Sequence, residues 1–330
     1  MPSVSSRALR FHLNGEPLDV LSDERVEIAE PAVGRIRVRV LATGLNPADW
    51  ALTTGFLPGP LPRGIGYDVA GVVESVGDGV ERTHVGDVVF GSADLSLPSA
   101  GAAELAILDN WTAVPAGLDP EQAAVLPMVA ITTAWTLDLL DLEPGTTLLV
   151  NGAGGMVGYS MVQIALRRGL TVIATAGPTF AADLEGFGAR VTAYGDGLPE
   201  RVRALTGGAD VGFVLDASRA NGGSLRDFVA LAGGDPKRVM TISNHAGAGD
   251  VGARVNLAEL RAATPAPASD VFAEFGALAA RGEFRLPIAR SYPFEQWRDA
   301  VERSASGQPH GKVVLLAPSA TSAPTPAPSV

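Results

Sequence analysis

Residues Leu148 to Gly169 read LLVNGAGGMVGYSMVQIALRRG, and the fold of this stretch decides the architecture around it. Leu148 to Val150 are an unbroken apolar run of strand type, after which Val157, Met161, Ile164 and Ala165 keep a helical period. Between them Gly152, Gly155 and Gly158 fall three residues apart, with Gly154 as an extra. A tight strand-to-helix turn needs positive φ, a bare backbone lets a pyrophosphate reach the amides, and a missing side chain lets the helix pack close to the sheet. The helix N-terminus then offers free N–H groups and the positive end of its dipole to an anion. Arg167, Arg168 and Gly169 read as a terminal cation pair and a left-handed cap. The spacing is not G-x-G-x-x-G, because the sixth residue from Gly152 is Val157. On the glycines alone, ligand binding and simple packing both stay open.

Working outward, the same rhythm of strand and helix runs from about Glu121. Val172 to Thr175, Arg190 to Tyr194, Val211 to Leu215 and Val239 to Ile242 are short apolar runs without polar alternation, and Met156 to Arg168 and Leu225 to Ala232 are helix-like. Such strands mark a parallel sheet covered on both faces. Upstream, IRVRVLAT, VAGVVESVG, GDVVFG and GAAELAIL between Ile36 and Leu108 are short strands with glycine breaks, which suggests a small barrel or sandwich. Ile36, Val38 and Val40 alternate with Arg37 and Arg39, so one face is expected buried and the other wet. A helix over Phe272 to Arg281 and a last strand, Lys312 to Leu316, follow; that strand is expected to return to the N-terminal domain.

An NAD-binding fold usually ends its second strand in Asp or Glu to hold the ribose 2′-hydroxyl. Here no acidic residue lies between Leu170 and Ala182, and Asp183 falls within the next helix. Without that carboxylate nothing repels a 2′-phosphate, so NADP(H) is favoured over NAD(H). No Lys or Arg occupies Thr171 to Ala182 either, and Arg219 is a substitute cation to consider.

The composition excludes several classes. The chain has 330 residues, 25 Lys plus Arg against 36 Asp plus Glu, and no cysteine. That length allows about two domains. Zero Cys rules out disulfides, thiolate zinc sites and a cysteine nucleophile. A net charge of -11 with no basic run argues against nucleic acid. No Gly-x-Ser-x-Gly elbow is present, which disfavours a hydrolase. Met1 to Leu13 lacks a signal-type apolar core, and the longest apolar run, Ala123 to Ile131, is interrupted by Pro127, so no membrane association is expected and a cytoplasmic protein is the default. Pro318 to Val330 has the composition of a disordered tail.

With the loop placed, further motifs fall in order: GLNPADW (Gly44 to Trp50), GYDVAGVVESVGDGV (Gly66 to Val80), VGDVVFG (Val85 to Gly91), AAVLPMVAITTAW (Ala123 to Trp135) and HGKVVLL (His310 to Leu316). Through them the chain resembles the medium-chain dehydrogenase/reductase superfamily in its zinc-independent, quinone-oxidoreductase-like branch, over Arg7 to Ala317. The resemblance implies an α/β protein: a discontinuous GroES-like β-rich catalytic domain, 1–121 and 269–317, and a Rossmann doubly wound parallel-sheet domain for NADP(H), 122–268, with residues 318–330 as the tail and the site in the cleft between domains. Zinc-dependent relatives carry a Cys and a Gly-His-Glu motif where this chain has Asn46 and Gly66-Tyr67-Asp68, and His12, His84, His245 and His310 are dispersed, so no metal is expected.

Carried over by motif, Asn46 is expected to contact the nicotinamide end, with Thr133 its partner and Tyr67 beside Asn46 at the catalytic end. Gly152, Gly155, Met156, Val157 and Gly158 would line the pyrophosphate, Thr175 and Tyr194 the adenosine ribose phosphate, and Ser243 and Asn244 the carboxamide. Trp50, Phe56 and Leu57, with Tyr67, form either an apolar substrate wall or core. Relatives often carry a tyrosine in the loop after NPAD; here Phe56 stands in GFLP. The implied activity is hydride transfer from NADPH to a small apolar or aromatic acceptor, a quinone or α,β-unsaturated carbonyl. The alternatives are a tailoring enoyl reductase and a non-catalytic NADPH-binding sensor or scaffold. A homodimer is expected, with Val251 to Leu257 as a candidate edge strand.

Overall fold

A computed structural model describes residues 3–218, 224–307 and 309–318. Its strands are β1 (Ser3–Phe11), β2 (Ser22–Ala29), β3 (Ile36–Leu45), β4 (Arg63–Gly64), β5 (Asp68–Val76), β6 (Val88–Ala93), β7 (Leu105–Ala113), β8 (Thr147–Asn151), β9 (Thr171–Thr175), β10 (Arg190–Thr192), β11 (Phe213–Asp216), β12 (Val239–Thr241), β13 (Arg254–Val255), β14 (Ile288–Tyr292) and β15 (Lys312–Leu316). They fall into two compact units, Met1–Met128 with Ile288–Val330, and Val129–Pro287.

The first unit is β-rich. One sheet runs β14-β15-β3-β5-β6-β7, and β7 pairs again with β3, which closes β3, β5, β6 and β7 on themselves. Register shifts in β3 at Arg37/Val38 and Val40/Ala42 let one strand serve several neighbours. Ile36, Val38, Val40, Val69, Val73, Val89 and Leu108 fill the interior. The expected alternation holds for those valines but not for Arg37, which is buried and bound to Glu74 at 2.7 Å and Glu30 at 3.3 Å. A buried guanidinium persists only when paired, and the nearer of the two contacts, Glu74, lies 37 residues along the chain, beyond what periodicity reveals. The closing strand β15 joins β3 antiparallel, Val313 opposite Leu45 through Leu316 opposite Ala42. The HGKVVLL segment therefore does return to the first unit.

The second unit carries a six-stranded, all-parallel sheet of order β10-β9-β8-β11-β12-β13. The order reverses about β8, so the topological switch point lies at the carboxyl end of the strand that feeds the glycine loop. Leu149, Ile173, Val211, Val214 and Val239 make its core with Phe228 and Leu231. The helix after the loop, Met156–Arg167, buries Met161, Val162, Ile164 and Ala165. It ends as expected, with Gly169 at φ +79°. The helix expected from Phe272 begins earlier and spans Ala268–Ala280. It belongs to the second unit together with the segment that follows, because Gln163 both donates to the Arg285 carbonyl at 3.0 Å and accepts from the Arg285 amide at 3.1 Å. The unit boundaries thus fall after residues 128 and 287, where the sequence suggested 121 and 268. The expected edge over Val251 to Leu257 forms a strand only at β13. Among the described residues no helix is long and apolar enough to cross a membrane. Arg219 and residues 319–330 of the tail lie outside the described residues.

Candidate functional site

In the second unit the candidate site starts at the carboxyl end of β8. Gly152 adopts φ +83°, and a Cβ there would meet the Ser218 amide at 2.6 Å; a Cβ on Gly158 would lie 2.5 Å from the Gly152 carbonyl. Those two glycines are needed by the fold itself. Gly154 and Gly155 are not: neither has positive φ, a Cβ at Gly154 meets nothing within 4 Å, and one at Gly155 only the Gly152 carbonyl at 3.5 Å. Their bareness leaves room at the N-terminus of the helix, where Gly155 is the N-cap and Met156 and Val157 open the first turn. The Gly155 amide turns back onto the Gly152 carbonyl at 3.0 Å, and a pyrophosphate fits against the first-turn amides that follow it.

The loop is held from behind. Thr175 is fully buried; its Oγ1 accepts from the Gly152 amide at 2.9 Å and donates to Asn151 Oδ1 at 2.7 Å. The hydroxyl assigned to a ribose phosphate is therefore engaged with the loop. Thr133 is likewise buried and donates to Ser160 at 2.8 Å, pinning two helices. Tyr194 is exposed, beside the Gly177 N-cap of helix Pro178–Phe187. Asp183 lies within that helix, bound to the Tyr159 hydroxyl and Arg285 at 2.9 Å each, so no carboxylate ends β9. Arg201, which the sequence reading did not single out, binds the carbonyls of Ala193 and Asp196 next to Tyr194. Past β12, the Ser243 hydroxyl donates to the Ser218 carbonyl, and Asn244 Oδ1 accepts from the Gly247 amide at 3.0 Å to cap helix His245–Val251.

The first unit holds a separate buried polar cluster. Asn46 caps helix Pro47–Thr53: its amide donates to Asp49 Oδ2 at 2.7 Å, completing a capping box with Pro47 at the first helical position. The Asn46 side chain donates from Nδ2 to Asp68 Oδ2 and the Gly44 carbonyl, both at 3.0 Å. Lys312 Nζ closes the ring, 2.6 Å from Asn46 Oδ1 and 3.0 Å from Asp68 Oδ2. Asp68 Oδ1 accepts from the Met128 amide and Asp49 Oδ1 from the Gly66 amide. All four side chains are buried. Burial pushes the Asp49 carboxyl up to about 6, against the pull of the Gly66 and Asn46 amides.

Tyr67 is half-buried, and burial raises its phenol well above the usual value. Of the proposed wall, Trp50 and Leu57 pack in or against the core that holds Leu9, Phe11 and Trp297, while Phe56 is exposed. Asp49 carried a local signal, the Asn-x-x-Asp of a capping box; Lys312 and Asp68 stand 244 residues apart, beyond any local pattern.

The N-terminal portion, residues 32–116, matches the alcohol dehydrogenase GroES-like domain, and residues 187–315 match the zinc-binding dehydrogenase model. A quinone oxidoreductase of Salmonella typhimurium is 34% identical over 63% of this chain and 65% of its own length. The chain belongs to the medium-chain dehydrogenase/reductase superfamily, among its quinone-oxidoreductase-like members. A pikromycin polyketide synthase component of Streptomyces venezuelae is 31% identical over 87% of this chain, which spans only 8% of that protein. The solved structure of an alcohol dehydrogenase superfamily protein from Novosphingobium aromaticivorans superposes with a TM-score of 0.78 at 26% identity, covering 94% of this chain and 99% of that one. Zinc, named in one matching model, does not fit these residues: among the described residues no three His, Cys, Asp or Glu side chains are grouped to hold a metal. Asn46 offers only an amide oxygen, and the Lys312 ammonium already sits on both that oxygen and Asp68.

Proposed function

We propose that this chain is a zinc-independent, NADPH-dependent oxidoreductase that reduces a quinone or an α,β-unsaturated carbonyl. The observation that carries the reading is the pair Gly154 and Gly155, bare where neither backbone conformation nor packing requires it, at a helix N-terminus on the switch point of a parallel sheet. When bound, a reduced nicotinamide supplies the hydride for an acceptor already polarised by conjugation.

The residues of the chain bind and orient. The amides at Met156 and Val157, beside the bare Gly155, receive the pyrophosphate, and Thr175 fixes the loop that presents them. Tyr194 and the helix N-terminus at Gly177 take the adenosine ribose phosphate. The absence of a carboxylate at the end of β9 favours the 2′-phosphorylated cofactor. Ser243 and Asn244 face the carboxamide, with Thr133 bracing the loop helix from behind. Asn46, locked by Lys312 and Asp68, serves the nicotinamide end. Tyr67 keeps its proton at neutral pH. The working form is a cytoplasmic homodimer joined through the β13 edge.

A tailoring enoyl reductase is the second reading, favoured by the longer reach of the polyketide synthase match along this chain. Consumption of NADPH and NADH against a panel of quinones and enones tests the proposal, and deuterium from labelled NADPH at a β-carbon would select the second reading. Oxidation of neither cofactor with any acceptor would sink both.

A further inference from the structure

The carboxyl ends of four parallel strands are wired together by one buried carboxylate. Asp216, at the end of β11, accepts at Oδ1 from Asn151 Nδ2 at 2.9 Å and from the Ser218 hydroxyl at 2.6 Å and amide at 3.2 Å. At Oδ2 it accepts from Thr241 Oγ1 at 3.0 Å. On the first side the chain of bonds continues through Asn151 Oδ1 and Thr175 Oγ1 to the Gly152 amide of the glycine loop. On the second, Thr241 Oγ1 accepts from the amides of Ser243 at 3.3 Å and Asn244 at 3.0 Å. Asn151, Thr175, Asp216 and Thr241 are all buried.

Every proton in this relay points toward Asp216. Thr241 already receives two amides on its oxygen, so its single proton must find an acceptor, and Asn151 must turn its NH2 inward because its carbonyl takes Thr175. Only a group that accepts at both ends and donates nothing closes both arms; a carboxylate does this and an amide does not.

We propose that Asp216 is a positioning residue that sets the glycine loop and the Ser243–Asn244 loop by a single hub. Resting on the cofactor reading above, this makes it the residue that fixes the nicotinamide end of the site relative to the pyrophosphate end. In Asp216→Asn the remaining oxygen can still face Asn151 and Ser218, but its NH2 then meets Thr241, whose lone pairs are taken. The fault falls on the 241–244 arm, and a buried polar group left unmatched there corresponds to about tenfold in affinity.

The test compares NADPH with 2′-phospho-ADP-ribose, which lacks the nicotinamide, by titration calorimetry on the whole protein. Asp216→Asn is expected to weaken NADPH about tenfold and to leave the fragment unchanged. Thr241→Val, which removes the hydroxyl at nearly constant shape, should do the same and serves if the first variant does not fold. Equal weakening of both ligands, or of neither, overturns the proposal. Amide hydrogen exchange on the unliganded protein provides a readout that needs no cofactor: the Ser243 and Asn244 amides should exchange faster in either variant while the Gly152 amide stays protected. Unchanged exchange at 243–244 overturns the hub, whereas an intact wild-type exchange pattern in a protein that binds no nicotinamide cofactor defeats the cofactor reading alone.

Discussion

Asp49 shows how a single buried carboxyl reports its surroundings. Its carboxyl sits near 6 in the folded chain, against the ordinary 3.8, so the folded state holds its proton more tightly than the unfolded one. Stability from this group is therefore complete below about pH 4 and is lost as the pH rises through about 6. Between pH 7 and pH 5 the wild type should gain about 1 kcal/mol relative to Asp49→Asn, read from denaturant melts at the two values; a pH-independent difference would refute the assignment. Lys312 is the complementary case. Lys312→Met leaves the buried Asp68 carboxylate without its cation and Asn46 Oδ1 without a donor, so it should cost about 3–5 kcal/mol. Lys312→Met combined with Asp68→Asn should recover most of that loss in the same melts, because the isolated charge is then gone. Asn46, Asp68 and Lys312 each stand in a motif of the sequence, but that they meet could not be read there, since it is a property of β3, β5 and β15 lying side by side.

At the scale of the element, the glycine loop separates two reasons for the same residue. Gly158→Ala drives a methyl group to 2.5 Å from the Gly152 carbonyl and 2.9 Å from Ala153 Cα, and neither neighbour is a flexible side chain that can swing aside. Gly155→Asp meets only ordinary contact but places a negative charge against the amides of the helix N-terminus. The first variant should lower the melting temperature by several degrees, and the second should melt like wild type yet fail to quench or shift NADPH fluorescence on mixing. If Gly155→Asp binds NADPH normally, the cradle is not the pyrophosphate site. The strand and helix order around this loop was legible in the sequence because apolar runs and helical period are local. The ends of β10, β11 and β12 shifted by a residue or two, since Tyr194, Asp216 and Ile242 are settled by neighbours in the sheet and not by their own propensity. Thr175 and Thr133 looked like ligand contacts in their motifs; side-chain direction, which no motif encodes, turned both hydroxyls onto the protein.

For the whole molecule, composition and topology bear on the same chemistry. A chain without cysteine can bind catalytic zinc only through clustered histidines and carboxylates. Among the described residues such a cluster is absent, and the first unit, assembled from both ends of the chain, brings Lys312 to the Asp68 carboxylate from 244 residues away. A divalent cation approaching Asn46 and Asp68 would have to displace that ammonium and would gain one carboxylate and one amide oxygen, two ligands short of a tetrahedral shell. Prolonged dialysis against a strong chelator should therefore leave both NADPH oxidation and the melting temperature unchanged, and zinc added afterwards should not raise the rate. Loss of activity that zinc restores would show that a metal is held after all, and it would overturn the zinc-independent mechanism while leaving the glycine cradle and its cofactor untouched.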